Sequence, residues 1–280
     1  MVKDHLSGHA MTDSYVLGNL DNEIARLEVQ SAFFEPLTRR TLLKAGIEEG
    51  MKCLDAGCGS GAVARLMAKL VGEKGKVIGL DIDEKYLQYC RNYKSPANAQ
   101  FMLDDISNSK LAKKKENFDI IYSRFMFVHL KDARKAVQSM KRLTKKGGVV
   151  IIEELDHAPD SWLCYPENQS VGTLREIYVT LVKKAGGDPF AGRKIYRLLV
   201  EESFDASVEC NSPCLMMGHE PYNTLGWRIA ESLKPQILSY GLLSDKEYLE
   251  MYNNLKNLST DNKSFVTYAR FFSAIGRKNT

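Results

Sequence analysis

The chain has 280 residues, 44% of them hydrophobic and 26% charged, with eight prolines and a formal net charge of +4. These values exclude a disordered or fibrous chain, suffice for one full core, and give no basic footprint for nucleic acid. No apolar run approaches the roughly 18 residues that span a bilayer, and the opening MVKDHLSGHAMTD lacks the apolar stretch of a signal peptide, so the expected location is the cytoplasm without membrane insertion.

Residues 12–45 read as one or two helices, with Ile24, Leu27 and Ala32 to Phe34 apolar and Pro36 marking a break. From about 51 to 156, Val- and Ile-rich runs alternate with stretches of helical period, the signature of βαβ units and a parallel sheet. The strands are placed at Met51–Asp55, Lys76–Asp81, Gln100–Leu103, Phe118–Ser123 and Gly148–Glu154. Val63, Leu66, Met67 and Leu70 repeat at helical spacing, as do Ala133, Ala136, Val137 and Met140. Helices are expected over Val171 to Lys184 and Phe190 to Glu202, then a strand at Ala206–Glu209. Two more helices follow, around Leu225–Ile237 and after Ser244, where Ser244-x-x-Glu247 fits a capping box. Phe265 to Ile275 ends the chain as a strand. The fold class is therefore α/β: a Rossmann-like, doubly wound, mostly parallel sheet with an antiparallel C-terminal edge strand. An N-terminal helical lid takes 1–45, the core 46–215 and 260–280, and a helical insertion before the last strand 216–259.

The six cysteines, at 53, 58, 90, 164, 210 and 214, form no C-x-x-C pair. They read as reduced thiols, and no metal site is expected. Lys113, Lys114 and Lys115 read as a solvated loop.

The segment that carries chemistry is Leu54-Asp55-Ala56-Gly57-Cys58-Gly59-Ser60-Gly61, placed directly after a strand and before a helix. Its glycines permit a tight turn and let a ligand lie against bare backbone. Three carboxylates surround it in sequence: Asp55 before the first glycine, Asp81 ending the second strand and Asp105 after the third. A dinucleotide brings two anionic phosphates, which disfavour a carboxylate beside the glycine turn, so Asp55 argues against NAD. S-adenosylmethionine offers each carboxylate a partner, with Asp55 near the ammonium, Asp81 on the ribose hydroxyls and Asp105 on the adenine amine.

On these motifs, residues from about 45 to 157 resemble the class I S-adenosylmethionine-dependent methyltransferase family, in particular its small-molecule members similar to the ubiquinone and menaquinone methyltransferases. The resemblance implies S-adenosylmethionine as the cofactor and an enzyme that transfers its methyl group to an O, N, C or S nucleophile of a small molecule. It further implies donor contacts by Asp55, Gly57, Gly59 and Gly61, ribose binding by Asp81, adenine packing by Ile82 and Ile106, an adenine hydrogen bond from Asp105, and backbone contact at Ser123. A fainter likeness to members with a helical lid and cap places Tyr15 and Gln30 over the donor carboxylate.

The acceptor is expected over the carboxyl ends of the fourth and fifth strands, where open α/β sheets bind ligands. Arg124, Phe125 and Glu154 lie there, and Tyr222 and Trp227 of the insertion are candidate walls of its pocket. His157 is the candidate general base because imidazole titrates near neutrality, with Glu154 and Asp156 as rivals. His129 reads as structural. The turn Tyr122-Ser123-Arg124-Phe125 departs from the Pro-Pro-aromatic turn of nucleic-acid amine methyltransferases, against base methylation. Protein methylation and donor binding without catalysis remain alternatives with the same cofactor site.

Overall fold

The computed structural model describes residues 20–93, 95–113 and 117–279. It opens with α1 (Leu20–Ala45), one helix of 26 residues. The break expected at Pro36 does not occur. Phe34, Thr38 and Leu42 on either side are fully buried, and their packing outweighs the cost of about 3 kcal/mol that an interior proline imposes.

Next come β1 (Lys52–Ala56), α2 (Ala62–Val71), β2 (Lys76–Asp81), α3 (Glu84–Asn92), β3 (Ala99–Leu103), α4 (Lys110–Lys113), β4 (Phe118–Arg124), α5 (Ala133–Leu143) and β5 (Thr144–Asp156). The rest of the chain forms β6 (Cys164–Tyr165), α6 (Gln169–Lys184), α7 (Ile195–Glu201), β7 (Phe204–Asn211), β8 (Cys214–Met216), α8 (Leu225–Ser239), α9 (Asp245–Thr260), β9 (Phe265–Thr267) and β10 (Arg270–Lys278). Ser244 caps α9 in a full capping box with Glu247, as its spacing predicts.

Seven strands make the main sheet in the order β3-β2-β1-β4-β5-β10-β7. The first five are parallel, and β10 runs antiparallel to both β5 and β7. The C-terminal strand is antiparallel as expected, with β7 covering its outer side. Neighbouring residues on each strand feed opposite faces, as a period of two requires. Cys53, Val77, Ile120 and Val149 pack beneath α1, α2 and α3, while Leu54, Ile78, Ile121 and Val150 pack beneath α5 and α7. A third cluster joins α1, α6, α8 and α9 above the sheet.

The expected single strand Phe265–Ile275 is two strands. The Tyr268 N–H donates to Pro213 O at 2.7 Å and that of Thr267 to Leu163 O at 2.7 Å, which draws β9 into a separate three-stranded sheet, β6-β9-β8. Among the described residues no helix is long and apolar enough to cross a membrane.

Candidate active site

The chain leaves β1 toward β2 on one side and returns as β4 on the other, so a crevice opens at the carboxyl ends of these strands. A cavity of about 510 Å³ occupies it. Its floor is the glycine turn. Gly59 has φ 49°, and a Cβ built there meets no atom within 4 Å, so the left-handed backbone faces open space that a ligand can fill. The Gly59 N–H donates to Asp81 Oδ2 at 2.8 Å. Gly61 is a glycine for another reason. At φ 77° its Cβ would lie 2.8 Å from Cys90 Sγ and 2.9 Å from the Phe101 ring, and it does not line the cavity.

Asp55, Gly57, Asp81, Ile82, Asp105 and Ile106 all line the cavity, so the structure gathers most of the sequence-predicted donor residues in one place. Asp55 is buried, and its Oδ2 has no hydrogen-bond partner among the described residues. Burial pushes its carboxyl up to about 7, against the pull of Arg124. Asp81 is likewise raised by burial, although the main-chain N–H groups of Asp83 and Gly59 oppose the shift. Asp104 also lines the cavity, but its oxygens are taken by Ser109 Oγ at 2.7 Å, Lys110 N at 2.9 Å and Asp105 N at 3.0 Å. Among the described residues Asp105 accepts only through Oδ1, from Ser107 N at 2.8 Å, which leaves its second oxygen for a ligand. Ile82 is 62% exposed at the cavity rim, an apolar surface that a flat aromatic ligand would cover.

The other half of the cavity is built from distant segments. At the end of β4 Phe125 adopts φ 57°, a costly conformation for a bulky residue and one that clusters at functional sites. Its ring packs edge-on to Phe34 at 4.9 Å. Arg124 donates to Thr38 Oγ1 at 3.1 Å and Ser31 Oγ at 2.9 Å, tying α1 to the sheet. Arg26 on α1 donates to both Glu23 oxygens, at 2.8 and 2.6 Å, and to Gln30 Oε1 at 3.0 Å. Gln30 Nε2 then reaches Tyr268 OH at 2.9 Å. Gln30 lines the cavity, but both ends of its amide are engaged by protein.

Glu154 is fully buried and lines the cavity. It accepts from Val128 N at 3.0 Å and Leu155 N at 2.8 Å, and burial raises it to about 8. His129 stands in the turn that Glu154 holds, and it lines the cavity. Burial and the nearby Arg26 lower its imidazole to about 4, so it is neutral at neutral pH.

Several expected site residues lie elsewhere. Ser123 is fully buried, its hydroxyl has no partner among the described residues, and it does not line the cavity, whereas its neighbours Arg124 and Phe125 do. His157 is buried outside the cavity, its ring 4.5 Å from that of Tyr178, which does line it. Both its nitrogens are unpartnered among the described residues, and burial lowers it to about 3. Asp156 is neutralised by Arg193, whose NH2 donates at 2.7 Å. Tyr222 packs on Phe33 at 5.5 Å and Trp227 on Tyr252 at 6.3 Å, both away from the cavity. Tyr15, like Lys114 and Lys115, lies outside the described residues. The aromatic and aliphatic lining comes from the expected Phe125 together with Leu27, Leu155, Tyr178, Ile229 and Tyr268. Of these Ile229 alone belongs to the predicted insertion, and no local spacing announces the set.

Residues 47–201, more than half of the chain, match the model of a methyltransferase domain family. The ubiquinone biosynthesis O-methyltransferase of Salmonella enteritidis PT4 (strain P125109) is 32% identical over 165 residues, spanning 53% of this chain and 66% of the relative. That of Klebsiella pneumoniae (strain ATCC 700721 / MGH 78578) is 30% identical over 164 residues, with the same shares. The match thus spans just under two thirds of these relatives' length. Two solved structures share the fold. Phosphoethanolamine N-methyltransferase 2 of Haemonchus contortus, in complex with phosphomonomethylethanolamine and S-adenosylhomocysteine, has a TM-score of 0.59 at 18% identity, over 93% of this chain and 58% of its own. A cyclopropane-fatty-acyl-phospholipid synthase-like protein of Lactobacillus casei has a TM-score of 0.57 at 15% identity, over 93% and 95%. The chain belongs to the methyltransferase domain family, in its class I, S-adenosylmethionine-dependent branch.

Proposed function

We propose that this enzyme transfers a methyl group from S-adenosylmethionine to a nucleophile of a small molecule, with oxygen as the favoured acceptor atom. The observation that carries the reading is a single cavity lined both by Asp55, whose buried Oδ2 has no partner among the described residues, and by the open backbone of Gly59. A buried carboxylate oxygen without a partner is costly, and a cationic ligand removes the cost. When bound, S-adenosylmethionine supplies a methyl group already activated by its sulfonium. Asp55, Gly57 and Gly59 hold its amino-acid end, Asp81 its ribose, and Ile82, Ile106 and Asp105 its adenine. Gly61 and Ser123 support this cradle from behind.

The acceptor takes the apolar half, between Phe125, Tyr178, Ile229 and Tyr268. His129, neutral at working pH, accepts the proton of an acceptor hydroxyl. Its presence in the cavity favours an acceptor that must lose a proton, at oxygen or carbon, and the O-methyltransferase names of the bacterial relatives favour oxygen. Of the lid expected over residues 1–45, the described part, α1, covers the site through Arg26, Leu27 and Gln30, and residues 216–259 serve as a cap through Ile229. The test is incubation with S-adenosylmethionine and a panel of phenols, amines and thiols, read by mass spectrometry. A methylated phenol with matching S-adenosylhomocysteine supports the reading; no product from any acceptor that binds contradicts it.

A further inference from the structure

Tyr178 stands on α6 next to the buried Ile177 and lines the main cavity. It is half-buried. Its hydroxyl has no hydrogen-bond partner among the described residues, and it is not one of the polar atoms sealed from solvent. Burial, with Tyr268 and Glu154 nearby, pushes the phenol well above its ordinary value, against the pull of Arg26, so it keeps its proton. Tyr268, Glu154 and Arg26 all line the same cavity. A hydroxyl that lies deep in the molecule among these groups, unpaired and yet reachable, opens onto that cavity. Its ring is backed by His157, outside the cavity, at 4.5 Å and a tilt of 34°, which fixes where the hydroxyl stands.

The polar side chains around Tyr178 have hydrogens to give rather than lone pairs to spare. Tyr268 OH accepts from Gln30 at 2.9 Å, and its own hydrogen has no acceptor among the described residues. Arg26 spends three N–H groups on Glu23 and Gln30, out of the five a guanidinium carries. Glu154, raised to about 8, keeps its proton at neutral pH, and each of its oxygens already accepts a main-chain N–H. A buried donor without a partner is costly, so the ligand that fills this half must bring an oxygen that accepts.

We propose that Tyr178 selects the acceptor: its hydroxyl donates to a neutral carbonyl oxygen, and the substrates of this enzyme are hydroxyl compounds that also carry a carbonyl group. The assignment rests on the methyltransferase reading above and names the substrate class of that same site. The charge balance of the wall decides the kind of oxygen. Arg26 is already matched by Glu23, at 2.6 Å, so a carboxylate would be desolvated without a net counter-charge. A second hydroxyl would bring a hydrogen of its own to a wall that offers hydrogens. A carbonyl accepts and brings none.

The test uses the full chain saturated with S-adenosylhomocysteine and two probes of one shape, acetophenone and α-methylstyrene, which differ only in carrying a carbonyl oxygen or a methylene. Ligand-observed NMR titration gives their affinities. Tyr178→Phe removes one oxygen that no other described residue uses, so the fold has nothing to lose by it. The variant is expected to bind acetophenone about tenfold more weakly, as one lost hydrogen bond implies, and α-methylstyrene within about twofold of wild type, with S-adenosylhomocysteine binding unchanged. The carbonyl carbon resonance of bound acetophenone should lie further downfield in the wild type than in the variant, a difference that repacking alone does not produce. Equal losses for the two probes, no loss for acetophenone, one carbonyl shift in both proteins, or no binding of either probe to the saturated wild type overturns the assignment. Failure of the wild-type chain to bind S-adenosylhomocysteine removes the methyltransferase reading, and the assignment with it.

Discussion

Glu154 and Val128 are joined at the wall of the site: the buried carboxyl of β5 accepts the main-chain N–H of the turn at 3.0 Å. Val128 precedes His129, so the place of the imidazole in the cavity is set by a side chain of the sheet. A rigid strand is a better reference than a free loop for a group that must meet a substrate proton.

Glu154 also makes stability depend on pH. Its folded value, about 8, lies above its unfolded value, so folding takes up a proton between the two. The stability it contributes is full below its unfolded pKa and is lost as pH rises through its folded pKa. Glu154→Gln, neutral throughout, is expected to lack this loss, a difference on the order of 5 kcal/mol across the interval. Denaturation midpoints of the two proteins against pH check it, and parallel curves would speak against the shift.

Donor affinity should follow the ionisation of Asp55. Its carboxyl, raised to about 7 by burial, must be charged to meet a cation. Binding is therefore expected to tighten as pH rises through about 7 and to release a proton. Calorimetry in buffers of different ionisation enthalpy measures the proton. Asp55→Asn should bind more weakly, by about 1–3 kcal/mol, with no proton release.

Two glycines of one turn should fail in different ways. Gly61→Ala forces a Cβ to 2.8 Å from Cys90 Sγ at φ 77°, so its expected effect is a stability loss of about 1–3 kcal/mol. Gly59→Ala meets open space and should mainly weaken donor binding. Thermal melts and donor titrations on both variants separate the two roles.

His129→Ala is expected to lower turnover of a hydroxyl acceptor by about 10²- to 10⁴-fold, with donor affinity little changed. His157→Phe, outside the cavity, should retain most activity. In the wild type saturated with donor, kcat/KM for the acceptor should fall on the acid side as pH drops through about 4, where His129 takes a proton. A larger loss in His157→Phe would reverse the assignment.

The donor half of the site is legible in the sequence because it is local. Asp55, Gly59, Asp81 and Asp105 occupy successive strand ends of one βαβ run, and β2 falls at Lys76–Asp81 as its apolar run implies. The acceptor half is legible only in part: Arg124, Phe125 and Glu154 line the cavity as expected, whereas Arg26, Tyr178, Ile229 and Tyr268 come from four segments that only tertiary packing brings together. His157 attracts attention by its neutral-range chemistry and its place after β5. Strand alternation instead turns Glu154 toward the cavity, and the chain then carries His157 behind Tyr178. Trp227 reads as a pocket wall, yet Lys256 and Arg228 lie over its ring, 5.0 and 4.7 Å from the centroid. Pro36 reads as a helix end where buried neighbours keep the helix intact.

The most direct measurement is titration of the folded chain with S-adenosylhomocysteine, alongside NAD and the Asp81→Ala variant. The account predicts one-to-one binding of the nucleoside, none of NAD, and a loss of about 1–3 kcal/mol in Asp81→Ala from a missing charge-assisted hydrogen bond. A folded sample that ignores S-adenosylhomocysteine, or takes up NAD in its place, would contradict it.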